Sequence, residues 1–353
     1  MPRRRKRLDP AVFRLPVDEI RQGFYTDKYF ERAREILRAD SHSPRVVMQV
    51  SGKNAGYLSG IDESIAILKQ CAEDYGSLTV SALYEGDEFE AWDTVMTIEG
   101  PYECFAHLET LYLGVLCRRT RICTNMRRLV ESARPKPVLF FGARQDFWGA
   151  QPGDGYAAHA GGASSVSTDA QASLFGASGI GTVPHSLIAA YDGDTVRASK
   201  AFAAHLQGVD LIALVDYEND CVRTSLDVAR ALEGRLWGVR LDTSENLVDK
   251  SVVSQMGTFR PTGVNPQLAW NVRNALDAEG FGEVKIVVSG GLNAARVREF
   301  EDEKAPVDVY AVGTSIIHDG RFDFTGDIVM VDGKPQAKVG RELRSNPKLD
   351  RVK

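Results

Sequence analysis

From Val138 to Thr314 the chain repeats one pattern: a short, nearly continuous apolar run, a polar or glycine-rich turn, then a helix-like segment. The runs Val138 to Phe141, Ala177 to Ile180, Leu211 to Val215, Leu236 to Leu241, Val284 to Val288 and Val309 to Val312 read as strands. Strands that are apolar throughout are buried on both faces, which predicts a parallel sheet covered by helices. The intervening segments fit, because Val196, Ala203 and Leu206 share one helical stripe and Val222, Leu226, Ala229 and Leu232 share another. Such a sheet is either doubly wound or closed into a barrel. Polar residues follow almost every run, and this favours the barrel, in which all carboxyl ends of the strands face one mouth. In a doubly wound sheet only the ends near the switch point could meet.

A chain of 353 residues has room for one barrel of about 250 residues and a smaller partner. Residues 21–134 read as that partner, a mixed α+β domain with strands near Val46 to Val50, Leu78 to Leu83 and Val95 to Ile98. Ile61, Ile65 and Leu68 mark one helix, and Phe105 to Leu116 marks another, with His107 and Glu109 read as polar residues on a helix whose other faces are buried. Pro135 and Pro137 then open the barrel, residues 135–320. The tail, 321–353, holds Ile328 to Val331 and the turn Asp332-Gly333-Lys334, a strand able to return to the first domain. Arg3, Arg4, Arg5, Lys6 and Arg7 make residues 1–20 a basic arm, expected to be solvated and flexible. The dense aromatics Phe24, Tyr25, Tyr29 and Phe30 fit core contacts or a stacking surface.

Charge and cysteine usage exclude several classes of function. A net charge of -5 argues against a nucleic-acid binder driven by overall basicity. No apolar segment approaches the roughly 20 residues of a membrane span, and the basic start leads into Leu8-Asp9-Pro10 instead of an apolar signal core. The expected location is cytoplasmic. Cys71, Cys104, Cys117, Cys123 and Cys221 are scattered without a Cys-x-x-Cys pair, which fits reduced thiols better than a disulfide frame or a zinc site.

The chemistry lies at the strand ends. Ser289-Gly290-Gly291-Leu292-Asn293 follows one run and Gly313-Thr314 the next, and Asn293 is a natural N-cap for the helix after it. Glycines there let backbone N–H groups approach a phosphate, and the loops after the final two strands are the usual phosphate site of barrels. Arg144, His185 and Arg240 add donors to these ends, and Asp216 and Asp242 add carboxylates. Paired acids beside a phosphate serve as acceptors for hydroxyl groups or as oxygen ligands for Mg²⁺. Any one of these side chains could be a structural ion pair; their shared position is what points to a site.

Six motifs in order carry a resemblance: Thr26-Asp27-Lys28-Tyr29, Phe141-Gly142-Ala143-Arg144, Gly181 to Ser186, Arg240-Leu241-Asp242-Thr243, Ser289 to Leu292 and Val312-Gly313-Thr314. The chain resembles nicotinate phosphoribosyltransferase, in its shorter archaeal-type branch. The resemblance implies a type II phosphoribosyltransferase fold, a mixed α/β domain beside an irregular α/β barrel, in homo-oligomers with shared sites. It implies transfer of phosphoribosyl from 5-phosphoribosyl 1-diphosphate (PRPP) to nicotinate with Mg²⁺, commonly with ATP hydrolysis, in NAD salvage. By the same resemblance Tyr29 of a neighbouring subunit stacks on the pyridine ring, and Arg144 and Ser186 lie near its carboxylate. Arg240 contacts donor or base, and Asp216 and Asp242 hold ribose hydroxyls or Mg²⁺. Ser289, Gly290, Gly291, Gly313 and Thr314 cradle the 5-phosphate, and His185 is the histidine that ATP phosphorylates. Gln145 and the sequence Thr243-Ser244-Glu245 depart from the commoner family pattern. Quinolinate phosphoribosyltransferase and a non-catalytic phosphoribosyl-binding protein are the alternatives.

Overall fold

The computed structural model describes residues 6–353. They form two compact units: one gathers the chain up to Asn125, Pro152–Gly161 and Asp319–Lys353, the other Met126–Gln151 and Gly162–His318.

In the first unit α1 (Val17–Arg21) and α2 (Lys28–Ala39) precede β1 (Arg45–Gly52), β2 (Gly56–Tyr57), α3 (Ile61–Cys71), β3 (Thr79–Ala82), β4 (Glu88–Phe89), β5 (Thr94–Pro101) and α4 (Glu109–Ala133). Val46, Met48 and Val50 alternate along β1 and bury with Val80, Ala82, Met96 and Ile98 against Ile61, Ile65 and Leu68 of α3. This is the period-2 signature of a sheet that meets helix on one face. His107 and Glu109, expected as the polar residues of a helix whose other faces are buried, are themselves buried. Burial, with Arg34 nearby, lowers the His107 pKa to about 4, and burial, with Asp327 and Asp27, raises that of Glu109 to about 7.

The division differs from the sequence expectation in two places. The boundary at Asn125 falls inside α4, a continuous helix with no linker composition to mark it. Residues Pro152–Gly161 join the first unit because the buried Asp154 accepts from Arg118 Nε and Nη2 at 2.9 and 2.8 Å, and also pairs with Arg119. The basic arm is also corrected in part. Arg3, Arg4 and Arg5 lie outside the described residues, but Arg7 is docked: it donates to Asp62 Oδ1 at 3.0 Å and to the Ala82 carbonyl at 2.9 Å, and lies over the Tyr84 ring. A buried acid and an aromatic face hold this arginine in place of solvent.

The second unit runs through β6 (Val138–Phe140), α5 (Gln151–Ala160, all but its first residue in the first unit), β7 (Ser165–Val166), α6 (Asp169–Ala172), α7 (His185–Ala190), α8 (Thr195–His205), β8 (Leu211–Leu214), α9 (Cys221–Leu232), β9 (Leu236–Leu241), α10 (Pro266–Ala278), β10 (Lys285–Val288), α11 (Ala294–Asp302), β11 (Val309–Val312) and α12 (Thr314–His318). Its strands are all parallel, in the order β7-β6-β11-β10-β9-β8. Asp194, Asp220, Asn265 and Asn293 cap α8, α9, α10 and α11 through their side chains, the last as the sequence suggested. Leu139, Ile212, Val287, Val309 and Ala311 form one apolar cluster of the sheet.

The expected strand Ala177 to Ile180 is absent; irregular backbone with no strand ladder stands there. Gly176, Gly179, Gly181 and Pro184 offer neither a steady β conformation nor side chains to pack. The segment still joins the two edges of the sheet, because Ile180 N–H donates to Val166 O at 2.9 Å and Val183 N–H to Ile212 O at 3.0 Å. One hydrogen bond on each side closes an irregular α/β barrel of six strands and one glycine-rich stave. The chain then returns to the first unit with β12 (Phe324–Val331), β13 (Lys334–Pro335) and β14 (Asp350–Arg351), giving the antiparallel order β13-β12-β1-β5-β3-β14.

Candidate active site at the barrel rim

Strand register decides which side chains reach the rim. Leu214 stands opposite Arg240 and Val288 opposite Leu241, so Asp216, Asp242 and Ser289, all just past these strand ends, share one side of the mouth. Arg240 donates from Nη1 to Thr182 Oγ1 at 2.8 Å and from Nη2 to Asp242 Oδ2 at 3.3 Å. Ser289 Oγ donates to Asp242 Oδ1 at 2.8 Å. A continuous chain of hydrogen bonds thus runs from the irregular stave through β9 to the end of β10.

Beside it, His185 opens α7 and sets Nε2 at 3.1 Å from both carboxylate oxygens of Asp216. The histidine side chain is 44% exposed and the aspartate 8% exposed, so the ring faces outward while its partner is fixed in the wall. Burial raises the Asp216 pKa; His185 lowers it by a smaller amount and the Asp242 charge adds to the rise.

The glycines expected to cradle phosphate stand where a side chain would be strained or crowded. Gly290 has φ +83°, and a Cβ there would lie 3.2 Å from Asp242 Oδ1. A Cβ on Gly313 would lie 2.6 Å from the Phe141 carbonyl oxygen, so only glycine lets β11 leave the sheet there. Among the described residues the N–H groups of Gly290, Gly291 and Thr314 have no intramolecular acceptor.

The other expected residues are placed differently. Arg144 is exposed in a 3₁₀ turn (Ala143–Gln145) after β6, with no hydrogen bond or ion pair among the described residues. That turn is held by His318 Nε2, 3.1 Å from Gln145 O, and by Gln151 Nε2, which donates to Ala143 O at 3.3 Å. Ser186 is exposed in the first turn of α7. Tyr29 belongs to the first unit, near the start of α2, and is 62% exposed. Thr182 was missed: it stood in a quoted motif, but as a turn residue, and nothing in its neighbours signals an arginine 58 positions away.

As ligands for a divalent cation, Asp216 and Asp242 are hard oxygen donors at neighbouring strand ends. Among the described residues no group of three or more acidic, histidine or cysteine side chains converges as a metal cage.

The family assignment follows from comparison with known proteins. Residues 27–120 match the quinolinate phosphoribosyl transferase N-terminal domain. The nicotinate-nucleotide pyrophosphorylase of Pyrococcus furiosus superimposes with a TM-score of 0.80 at 34% identity, over 96% of this chain and 86% of that one. The chain belongs to the type II phosphoribosyltransferase family.

Within that family, nicotinate phosphoribosyltransferase pncB1 of Mycobacterium tuberculosis is 29% identical over 264 residues, 72% of this chain and 54% of its own length. Nicotinate phosphoribosyltransferase of Bacillus subtilis is 25% identical over 244 residues, 67% of this chain and 45% of its own. This type II chain therefore spans about half the length of the curated relatives it matches. Human nicotinic acid phosphoribosyltransferase shares the fold, with a TM-score of 0.66 at 18% identity over 88% of this chain and 76% of that one. Among the described residues no helix is long and apolar enough to cross a membrane.

Proposed function

We propose that this chain transfers the phosphoribosyl group of PRPP to the ring nitrogen of nicotinate, giving nicotinate mononucleotide and diphosphate in NAD salvage. The observation that carries the reading is the bonded chain Thr182–Arg240–Asp242–Ser289, which stands beside His185–Asp216 and next to unpartnered glycine N–H groups. One side of this arrangement suits a phosphate, the other a ribose ring that becomes cationic.

Displacing diphosphate from C1 of ribose builds positive charge on the ring, and the carboxylates of Asp216 and Asp242 stabilise that charge. Arg240, already anchored to Asp242, offers a fixed cation to the departing diphosphate or the base. The N–H groups of Gly290, Gly291 and Thr314, with Ser289 and Gly313 shaping the turns, bind the 5-phosphate at the start of α12. Mg²⁺ held by Asp216 and Asp242 would neutralise the leaving group. The pyridine nitrogen attacks through its own lone pair, so the acceptor needs orientation and no general base. Arg144 and Ser186 supply that orientation at the carboxylate, and Tyr29 of a second copy stacks on the ring, in a homo-oligomer in the cytoplasm.

His185 is the acceptor of a phosphoryl group from ATP. Asp216 engages Nε2, leaving Nδ1 for the new N–P bond as ADP departs. His185→Ala is expected to remove any stimulation by ATP while leaving ATP-independent turnover; unchanged stimulation would refute the role.

The match of residues 27–120 to the quinolinate family's N-terminal domain keeps that acceptor as the second reading. A second carboxylate calls for a second cation, yet of the two arginines at the strand ends Arg240 is already bound to Thr182 and Asp242. The test is turnover with PRPP, Mg²⁺ and nicotinate, quinolinate or nicotinamide in parallel, with and without ATP. Absence of nicotinate mononucleotide from nicotinate under every condition overturns the proposal. Product from quinolinate alone establishes the second reading.

A further inference from the structure

We infer that Asp249 and Asn219 are positioning residues that hold Asp216 and Asp242 at a fixed separation by lacing the loops after β8 and β9 into one unit. The inference rests on the donor site proposed above. It adds two residues that touch neither donor nor base.

The last ladder bond between these strands runs from Val215 N–H to Arg240 O at 3.2 Å. Both acids lie beyond it, where the sheet no longer sets their spacing. The loops nevertheless remain joined. Asn219, held in the left-handed region at φ 54°, is tied back to Asp216 O through its own N–H at 2.9 Å. Its side-chain amide donates to Val248 O at 2.8 Å, and its carbonyl accepts from Lys250 N–H at 3.1 Å.

Asp249, between those two partners, is fully buried. Its Oδ2 accepts from Cys221 N–H at 2.8 Å, at the first turn of the twelve-residue helix α9. Its Oδ1 accepts from Ser251 N–H at 2.9 Å and from Ser251 Oγ at 2.7 Å. A buried carboxylate with three donors, one of them at a helix N-terminus, is a stable anchor. The Cys221 thiol, also buried, lies 3.7 Å from Thr243 Oγ1, so the anchor reaches the residue next to Asp242. Nothing here meets a ligand; the lacing acts through the two acids it spaces.

Asp249→Asn replaces one acceptor oxygen by an N–H₂ that cannot receive the Cys221 or Ser251 donors. Asn219→Gly keeps the left-handed backbone and removes only the bond to Val248. Each variant is expected to weaken calorimetric binding of PRPP with Mg²⁺ about tenfold, the usual scale for residues that orient ligating groups. The Michaelis constant for nicotinate should stay within about twofold, because Arg144 lies across the rim, and the double variant should lose no more than the worse single one. If Asp249→Asn does not fold, Asn219→Gly decides the matter alone. Donor binding equal to wild type in a folded variant overturns the lacing, as does equal weakening toward donor and nicotinate. Wild-type protein that fails to bind PRPP with Mg²⁺ overturns the proposed donor site itself, a separable result.

Discussion

The two sides of the barrel rim are built in opposite ways. At the ends of β8, β9 and β10 four side chains are already engaged with one another or with the stave: His185 with Asp216, Arg240 with Thr182 and Asp242, Ser289 with Asp242. Around the rest of the rim the donors are open: Arg144 past β6 is exposed, and the N–H groups of Gly290 and Gly291 past β10 and of Thr314 past β11 lack internal acceptors. A pre-bonded group cannot reorient when a ligand arrives and therefore acts on charge that develops in the reaction. An open donor loses water and gains a ligand bond, and so contributes to binding. In the proposed reaction the bonded groups form the catalytic half and the open donors the recognition half.

The largest effect should come from cutting the bonded side at its centre. Arg240→Ala removes the cation and leaves Asp242 with Ser289 alone, and turnover should fall about 10²- to 10³-fold, as for loss of one pre-oriented donor. The Michaelis constant for nicotinate should change little. A loss confined to nicotinate affinity, with turnover intact, would move Arg240 to the recognition half and break the contrast.

Cutting the open side should be milder and selective. Arg144→Ala removes a charge-assisted pair to the base carboxylate, worth about 1.5–3 kcal/mol, or roughly 10- to 150-fold in the Michaelis constant for nicotinate. Donor affinity and melting temperature should hold, because the side chain has no internal partner to lose. If the donor constant rises more than the nicotinate constant in steady-state kinetics, Arg144 serves the phosphates instead.

Most of this contrast could not be read from the sequence. The strand ends were legible because their apolar runs have one meaning in a parallel sheet, and Leu236 to Leu241 and Val309 to Val312 coincide with β9 and β11. Asn293 was legible as a cap because capping is local. The glycine-rich stretch before His185 was misread as a strand: its small apolar residues match a strand pattern, whereas its glycines and Pro184 yield a stave with one bond per side. Which donor meets which acceptor depends on register and on loops that return from far along the chain. Thr182 with Arg240, and Cys221 with Asp249, are such pairs. The join between the units was hidden because helix α4 runs straight across it.

The smallest effect, and the one that most sharpens the contrast, concerns stability. Burial and the neighbouring Asp242 raise the Asp216 pKa above its ordinary 3.8 even though His185 opposes them. A carboxyl whose folded pKa lies above its unfolded value favours the fold fully below the unfolded value, and that contribution is lost as pH rises through the folded one. At pH 7 the ionised Asp216 therefore costs stability, the usual consequence of pre-orienting a charge for a reaction. Asp216→Asn should abolish most turnover yet raise the melting temperature at pH 7 by about 1–3 °C, with the gain shrinking toward pH 4. Thermal melts across that range, paired with assays, measure both at once. If the asparagine variant melts lower at pH 7, and increasingly so as pH rises, the His185 pair outweighs burial and this half of the rim is a structural ion pair instead of a charge held ready for chemistry.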